Sequence, residues 1–152
     1  MNPIPLAPLL DLTVEVAPPV TVAGGPFDDV RCVPIVGGSF SGPEASGTVL
    51  GGGADWQTVR RDGTLEIGAH YVLETDDGDH VEVRTAGVRS GPPEVLERLA
   101  RFEDVEPDEY YFRLSVRLTT GATRLDRWNS LLGIGRGERR RSEVLISVWE
   151  VL

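Results

Sequence analysis

The sequence predicts one mainly β domain spanning residues 1–152: a compact closed or nearly closed antiparallel β-barrel of about eight to ten strands with one short helix. The length is that of a single domain. Short segments alternate apolar with polar residues, as strands with one buried face do, and glycine-rich turns separate them at short intervals. Only about residues 92–103 carry an apolar stripe at helical spacing.

The first third of the chain predicts short strands that end at proline or glycine. Residues 6–16 alternate apolar and polar side chains, which indicates a half-buried strand that Pro18 and Pro19 end. Apolar segments at 30–36 and 48–50 predict two further strands, the first followed by a loop rich in glycine and serine.

The middle of the chain predicts two consecutive hairpins. Residues 56–60 and 65–75 flank Asp62–Gly63, a pair that suits the positive φ angles of a type I′ turn. A second turn at residues 76–79 leads into the returning strand at residues 80–88.

The helix separates these hairpins from the last strands. Ser90 or Gly91 can cap it, and prolines occupy its first turn. Three strands are predicted after it, with a basic loop before the last one: strands at residues 110–119, 131–134 and 144–152, and the loop at residues 135–141.

The faces of the strand at residues 110–119 favour a barrel, although the pattern alone also fits a sandwich. One face is apolar, whereas the opposite face carries the bulky polar side chains Tyr111 and Arg113. If the helix or a partner subunit covered the apolar face, the polar face would line the barrel lumen.

Composition excludes several classes of function. The net charge of -9 argues against nonspecific nucleic-acid binding, and the absence of lysine excludes catalysis through a lysine Schiff base. With Cys32 as the only cysteine and no zinc-like spacing, no disulfide or metal site is expected. Asp11 and Glu15 interrupt the N-terminal apolar run, so neither a signal peptide nor a membrane span is predicted, and a reducing cytoplasm is the expected location.

Two side chains are candidates for proton transfer near neutral pH. His70 has a suitable intrinsic pKa; the alternative is a hydrogen-bonded histidine on the sheet surface. Asp55 follows three glycines and precedes Trp56, whose indole would exclude water and raise the pKa of the carboxyl group. An aspartate that caps the glycine turn fits the same position.

The remaining candidates would bind rather than transfer protons. Tyr111 and Arg113 share a strand face and suit a carboxylate or enolate, although a structural ion pair of Arg113 with Glu82 or Asp55 explains the arginine equally. The candidate ligand-binding residues, for which core packing is the alternative at Trp128, are Trp56, Glu82, Trp128 and Asn129.

These motifs resemble the domain of unknown function (DUF) family 3237, also called uncharacterised protein family (UPF) 0311. The resemblance covers about residues 8–151. It implies a compact antiparallel β-barrel with one helix that associates as a homodimer, and it implies no established reaction. The motifs that carry it are GGSFSGP at 37–43, GTVLGGGADWQTVRRDGT at 47–64, YVLETDDG at 71–78, GVRSGPPEV at 87–95, EYYFR at 109–113, WN at 128–129 and G-x-G-x-R at 135–139.

The sequence departs from the family's usual residues at two places. Arginine usually stands where this chain has His70, and F-E-T usually stands where it has Leu118–Thr120. If that arginine and glutamate pair across the barrel, an imidazole and a hydroxyl replace an ion pair here and retune the pocket. A neutral structural exchange is the alternative.

The leading hypothesis is a cofactor-free enzyme that acts on a small apolar or aromatic, polyketide-like molecule in the lumen. Acid–base catalysis by His70 or Asp55 would drive cyclisation, isomerisation or elimination, as fold-level analogy with other small barrels that close rings suggests. One alternative is a barrel that binds or carries a small molecule without altering it. The other is a dimeric scaffold with a filled barrel, expected if no cavity reaches roughly 300 Å³.

Overall fold

The computed structural model describes residues 1–152 and contains ten strands in one antiparallel sheet. Every pair of hydrogen-bonded neighbours is antiparallel, so β1 and β2, which both pair with β3, run in the same direction, and so do β4 and β5. They are β1 Leu6–Val16, β2 Val20–Val22, β3 Asp29–Ser41, β4 Ser46–Val49, β5 Ala54–Val59, β6 Leu65–Thr75, β7 His80–Ser90, β8 Tyr111–Thr120, β9 Gly133–Arg139 and β10 Glu143–Val151.

The sheet closes into a barrel because β1 pairs with β10 on one side and with β3 on the other. Between them the order is β9, β8, β7 and β6, after which β4 and β5 share one position next to β3. The ring therefore has eight positions, and β2 is an additional short strand along the start of β3. The predicted closed antiparallel barrel is confirmed.

Strand β8 shows which face fills the barrel. Phe112 and Leu114 are buried, whereas Tyr111 is 53% exposed and Arg113 is exposed to solvent. The prediction that the polar face lines the lumen is therefore wrong. The apolar face is removed from water by closing the barrel, and the polar side chains keep their hydration outside.

The two ends of the barrel are different. A helix, α1 (Pro93–Ala100), follows the end of β7, and a 3₁₀ segment (Thr123–Ser130) follows the end of β8. Because β7 and β8 are antiparallel, these elements lie at opposite ends. At the 3₁₀ end, called the closed end below, five of the buried side chains are at most 2% exposed: Leu73, Val81, Leu118, Leu125 and Trp128.

Helix α1 is shorter than the predicted 92–103. Val95 and Leu99 form its buried side, and the chain leaves the helix at Phe102, which has a positive φ of 58°. The 3₁₀ segment was not predicted, although its buried residues Leu125 and Trp128 have the three-residue spacing of such a helix. A further 3₁₀ turn spans Pro107–Glu109. No helix of the chain has the length and apolarity to cross a membrane.

Two strands extend through residues predicted as loops. Strand β3 continues to Ser41 because its second half pairs with β1. Strand β9 contains most of the predicted basic loop, and its glycines alternate with Ile134 and Arg136. A Cβ atom at Gly137 would lie 2.7 Å from the ring of Phe112. Glycine at this position therefore allows the backbone of β9 to approach that ring.

The hairpin between β5 and β6 has a different turn from the predicted type I′. The Arg60 amide donates to the Thr64 carbonyl at 2.9 Å, which closes a three-residue loop. Gly63 has a φ of 84°, whereas Asp62 does not have the positive φ that a type I′ turn requires. Asp62 instead accepts a hydrogen bond from the Thr64 amide at 2.9 Å through Oδ1.

Candidate functional site

The strand register brings polar side chains into the lumen near the α1 end of the barrel. On β5, Asp55 is opposite Val33 and Ala69, which line the lumen, and Gln57 points the same way two residues later. On β7, Arg89 is opposite Phe112 and also lines the lumen. Apolar side chains of the other strands complete the wall, so the polar groups form a small cluster on an otherwise hydrophobic surface.

The enclosed part of this cavity is small. Its volume is about 40 Å³, which is room for roughly three water molecules. Arg89 also lines an open depression of about 340 Å³ between α1 and the β5–β6 hairpin, with Arg31 and Leu96 among its other walls. This depression is called the mouth below. The enclosed part alone is smaller than the roughly 300 Å³ of a typical small-molecule site, so a ligand of that size would also occupy the mouth.

Asp55 is held with one oxygen bound and the other free. Its Oδ2 accepts a hydrogen bond from Nε2 of Gln57 at 2.8 Å, whereas its buried Oδ1 has no partner. Burial raises the pKa of Asp55 to about 6, although the Gln57 hydrogen bond and the charges of Arg89 and Arg31 favour the ionised form. The carboxyl group therefore exchanges its proton close to neutral pH.

Three arginines surround the same space. Burial, followed by the neighbouring charges of Arg31 and Arg139, lowers the pKa of Arg89 to about 10. Burial also lowers the pKa of Arg31, against the favourable charge of Asp55, and the pKa of Arg139. Since arginine begins from a very high pKa, all three guanidinium groups stay charged at neutral pH. None of them forms an ion pair with a carboxylate.

Several polar atoms of this cluster are buried without a hydrogen-bond partner. They are Nε of Arg31, Oδ1 of Asp55, Oε1 of Gln57 and Nε of Arg89. Each such atom costs roughly 1–3 kcal/mol relative to a paired one. Both donors and acceptors are present, so the site offers hydrogen bonds to an oxygen-rich ligand. No group of three or more His, Cys, Asp or Glu side chains lies close enough to hold a metal ion.

His70 lies on the outer surface of the barrel. Its Nε2 is 2.8 Å from Oε2 of Glu82, which also accepts from Arg84 at 3.4 Å, and this hydrogen bond from His70 lowers the pKa of Glu82. Thr119 is opposite Glu82 on the neighbouring strand and is likewise exposed. The interpretation that His70 and Thr119 retune the pocket is therefore wrong, because neither side chain faces the lumen.

Tyr111 and Arg113 also lie outside. The Arg113 guanidinium stacks on the Tyr111 ring at 5.0 Å from its centroid and donates to the Phe112 carbonyl at 3.0 Å. The predicted ion pair of Arg113 with Glu82 or Asp55 is not formed. Together the two side chains border an open surface groove, so they are not placed to hold an oxyanion inside the barrel.

The predicted ligand-binding residues lie away from the lumen cluster. Trp56 is 55% exposed on the outer face. Trp128 is fully buried at the closed end, where its Nε1 donates to Oε2 of Glu44 at 3.0 Å. Asn129 bonds both backbone groups of Thr120, accepting at 2.8 Å and donating at 2.9 Å. These contacts are structural, and Asp55 is the predicted residue that the structure places in the lumen.

Sequence reasoning missed Arg31, Gln57, Arg89 and Arg139. The alternation of each strand contained a signal for the first three. Arg31 is in phase with the apolar residues of β3, Gln57 with Asp55, and Arg89 with the apolar residues of β7. A charged side chain that falls on the apolar phase of a strand indicates a polar group inside the barrel.

Comparison with known proteins supports this fold and places the chain among uncharacterised relatives. The family model for "Protein of unknown function (DUF3237)" matches residues 4–151. A UPF0311 protein of Rhodopseudomonas palustris is 41% identical over 122 residues, which is 80% of each chain. A solved structure of a protein of unknown function from R. palustris has a TM-score of 0.94 and 35% identity over the full length of both chains.

A relative with a named activity matches part of the chain. The hydroalkoxylation enzyme phnH of Penicillium herquei is 43% identical over 49 residues, which is 32% of each chain. The structure of an enzyme from P. herquei shares the fold, with a TM-score of 0.73 at 19% identity, covering 100% of this chain and 97% of that one. The family model matches nearly the whole chain, and the solved relative has the same fold over its full length. The chain therefore belongs to the DUF3237 family, also called UPF0311.

Proposed function

We propose that this protein is an enzyme that isomerises a small, largely apolar molecule by acid–base catalysis, with Asp55 as the proton carrier. One observation carries the proposal: a carboxyl group with a free Oδ1 stands in a hydrophobic lumen, where burial raises its pKa to about 6. A group with such a pKa can take a proton and return it within one catalytic cycle near neutral pH.

The reaction class we favour is ring closure by addition of a hydroxyl group to a conjugated carbon–carbon double bond. Partial similarity to a hydroalkoxylation enzyme supports this class. Asp55 as carboxylate takes the hydroxyl proton while the oxygen forms a bond to the β-carbon, and the π electrons move onto the carbonyl oxygen as an enolate. Asp55 then returns the proton to the α-carbon. The product is an isomer of the substrate, so no cofactor or co-reactant is consumed.

The surroundings of Asp55 suit this role. Gln57 fixes Oδ2, which leaves Oδ1 as the proton-transferring oxygen. Apolar walls keep water from competing with the substrate hydroxyl. In this proposal the reacting end of the substrate occupies the enclosed cavity, and the remainder lies in the mouth.

The test uses 2′-hydroxychalcone, which closes to flavanone by this addition and loses its long-wavelength absorbance as it does so. We expect the wild type to accelerate closure at pH 6–7, and Asp55→Asn to lose roughly 10²–10⁴-fold of that acceleration. His70→Ala is the matched control and should retain the wild-type rate, since His70 lies outside the lumen. A wild type no faster than Asp55→Asn, including one that binds the chalcone and releases it unchanged, would overturn the proposal.

The size of the enclosed cavity favours one alternative, a homodimeric scaffold with a filled barrel. Eight-stranded barrels can have an interior just wide enough for side chains to fill, and in this barrel a volume of only about 40 Å³ is left. A scaffold gains nothing, however, from four buried polar atoms without partners, because apolar residues would fill the same space at lower cost. That cost favours a binding function over a purely structural one.

A further inference from the structure

The cluster around Asp55 has an excess of buried positive charge. Three guanidinium groups share the space with a single carboxyl group. We propose that Arg31 and Arg89 bind an ionised oxygen on an apolar ring system, such as the enolate that forms while Asp55 holds the substrate's proton, or a phenolate or carboxylate in the same position. This inference rests on the proposed function of the lumen and adds the charge class of the species that the site binds most tightly.

Arg89 is the strongest element of this argument. Arg89 is only 4% exposed to solvent, and no carboxylate forms an ion pair with it. Its Nε has no hydrogen-bond partner. A buried charge without a counter-charge is strongly unfavourable. The whole chain carries a net charge of -9, so acidic residues are abundant, yet none is placed against this guanidinium. An anionic ligand supplies the counter-charge that the protein does not.

Arg31 and Arg89 are positioned where a ligand would pass from the mouth into the lumen. Arg89 lines both spaces, and Arg31 lines the mouth with its Nε free. Arg139 is already engaged: its Nη1 donates to the Arg140 carbonyl, and its guanidinium stacks on Phe102 at 5.3 Å from the ring centroid. Two arginines therefore offer free donors, and the third adds charge.

Acidic groups nearby do not neutralise this pair. Of the carboxylates lining the mouth, Asp62 accepts the Thr64 amide, and neither it nor Glu97 pairs with Arg31 or Arg89. Asp55 lies close enough for its charge to favour the charged form of both arginines, but it forms no ion pair with them. Bidentate guanidinium geometry suits an oxyanion that reaches both side chains.

A bound anion and the ionised carboxylate of Asp55 repel each other, so the affinity for an anionic ligand depends on pH. An anionic ligand favours the protonated form of Asp55, so affinity should fall as pH rises through about 6 and this dependence should vanish in Asp55→Asn. The charged and titratable groups that face Asp55 from the packed strands, together with its hydrogen-bond donor Gln57, are Arg31 on β3, Tyr71 on β6, Arg89 on β7 and Arg139 on β9.

The test compares 2-naphthoate with the neutral isostere 2-naphthamide by calorimetric titration of the full chain. We expect the wild type to bind naphthoate about tenfold or more tightly than naphthamide, because hydrogen bonds to charged groups are worth that much. Arg89→Gln, or Arg31→Gln where the first variant does not fold, should remove this preference, so that the two probes bind with similar affinity. The matched control is Arg84→Gln on the outer face of β7.

Two results would overturn the inference: wild-type affinities that are equal for both probes or undetectable at millimolar concentration, or a naphthoate preference that survives in Arg89→Gln and Arg31→Gln. Asp55→Asn separates this inference from the proposed reaction. It should bind naphthoate at least as tightly as the wild type because a repelling carboxylate is gone. If Asp55→Asn binds naphthoate in this way and also turns over the chalcone at the wild-type rate, the proposed reaction is wrong while the anion site stands.

Discussion

The burial of Asp55 makes the free energy of unfolding depend on pH. Burial raises its pKa to about 6 in the folded protein, from the ordinary 3.8. Between these two values the folded state binds more protons at Asp55 than the unfolded state, so the contribution of Asp55 to stability is fully present below pH 3.8 and is lost as pH rises through 6. Above that range the ionised carboxylate is a constant cost that asparagine does not have.

Asp55→Asn should therefore gain stability relative to the wild type as pH rises. Between pH 4.5 and 7.5 the difference in unfolding free energy should move by about 2 kcal/mol in favour of the variant. Urea denaturation at the two pH values measures it. The exposed Asp28→Asn is the control and should show no such change. A difference that is independent of pH would contradict the assigned burial of Asp55.

At the scale of residues, Asp55 is the one member of the site that the sequence predicted, and the physical reason given for it was wrong. Asp55 was singled out because Trp56 would exclude water, but Trp56 points outward and the lumen wall does so instead. His70 was misplaced because a residue type alone says nothing about which strand face is inside. The phase of Ile67 and Tyr71, which are buried on the opposite face, decides that question.

At the scale of elements, the end of helix α1 contains a strained residue beside the site. The Phe102 amide donates to the Leu99 carbonyl and the Glu103 amide to the Arg98 carbonyl, both at 3.0 Å, which is the Schellman arrangement. Glycine usually occupies the left-handed position in this motif, whereas here it is Phe102, with a φ of 58°. Its ring stacks on Arg139 in the lumen cluster.

Phe102→Gly should be more stable than Phe102→Ala by about 1 kcal/mol, because alanine pays the left-handed backbone cost and glycine does not. Both variants lose the ring and its contact with Arg139, so the comparison isolates the backbone. Chemical denaturation measures the difference. The same pair of substitutions at the exposed Phe27, which has no positive φ, should show no advantage for glycine. Equal stability of the two position-102 variants would contradict a strained helix end.

Alternation of apolar and polar residues made some strands predictable, whereas glycine residues hid the pattern of others. The predicted ranges 6–16 and 65–75 are the observed β1 and β6, since apolar and polar residues alternate over residues 10–16 of the first and over most of the second. Strand β9 alternates glycine with larger residues, so its inward face has no apolar side chains to reveal it. The Phe112 ring occupies the space that a side chain at Gly137 would need. This contact joins two strands of the folded barrel, so the local sequence of β9 could not predict it.

At the scale of the whole molecule, the barrel separates packing from chemistry between its two ends. The closed end is filled by apolar side chains, and an ion-pair network covers it, in which Arg127 bonds both Glu44 and Glu150. The α1 end contains the cavity, the mouth and the unpartnered polar atoms. Destabilising polar groups are tolerated at one end because the other end supplies the packing.

Trp128 tests this division of the molecule. Trp128→Ala removes a fully buried indole from the closed end and should lower the free energy of unfolding by roughly 3–5 kcal/mol. Trp56→Ala is the matched control, since that indole is 55% exposed on the outer face, and its loss should cost less than about 1 kcal/mol. Urea denaturation monitored by circular dichroism compares the two. Similar costs would mean that the closed end is not where the stability of the barrel resides.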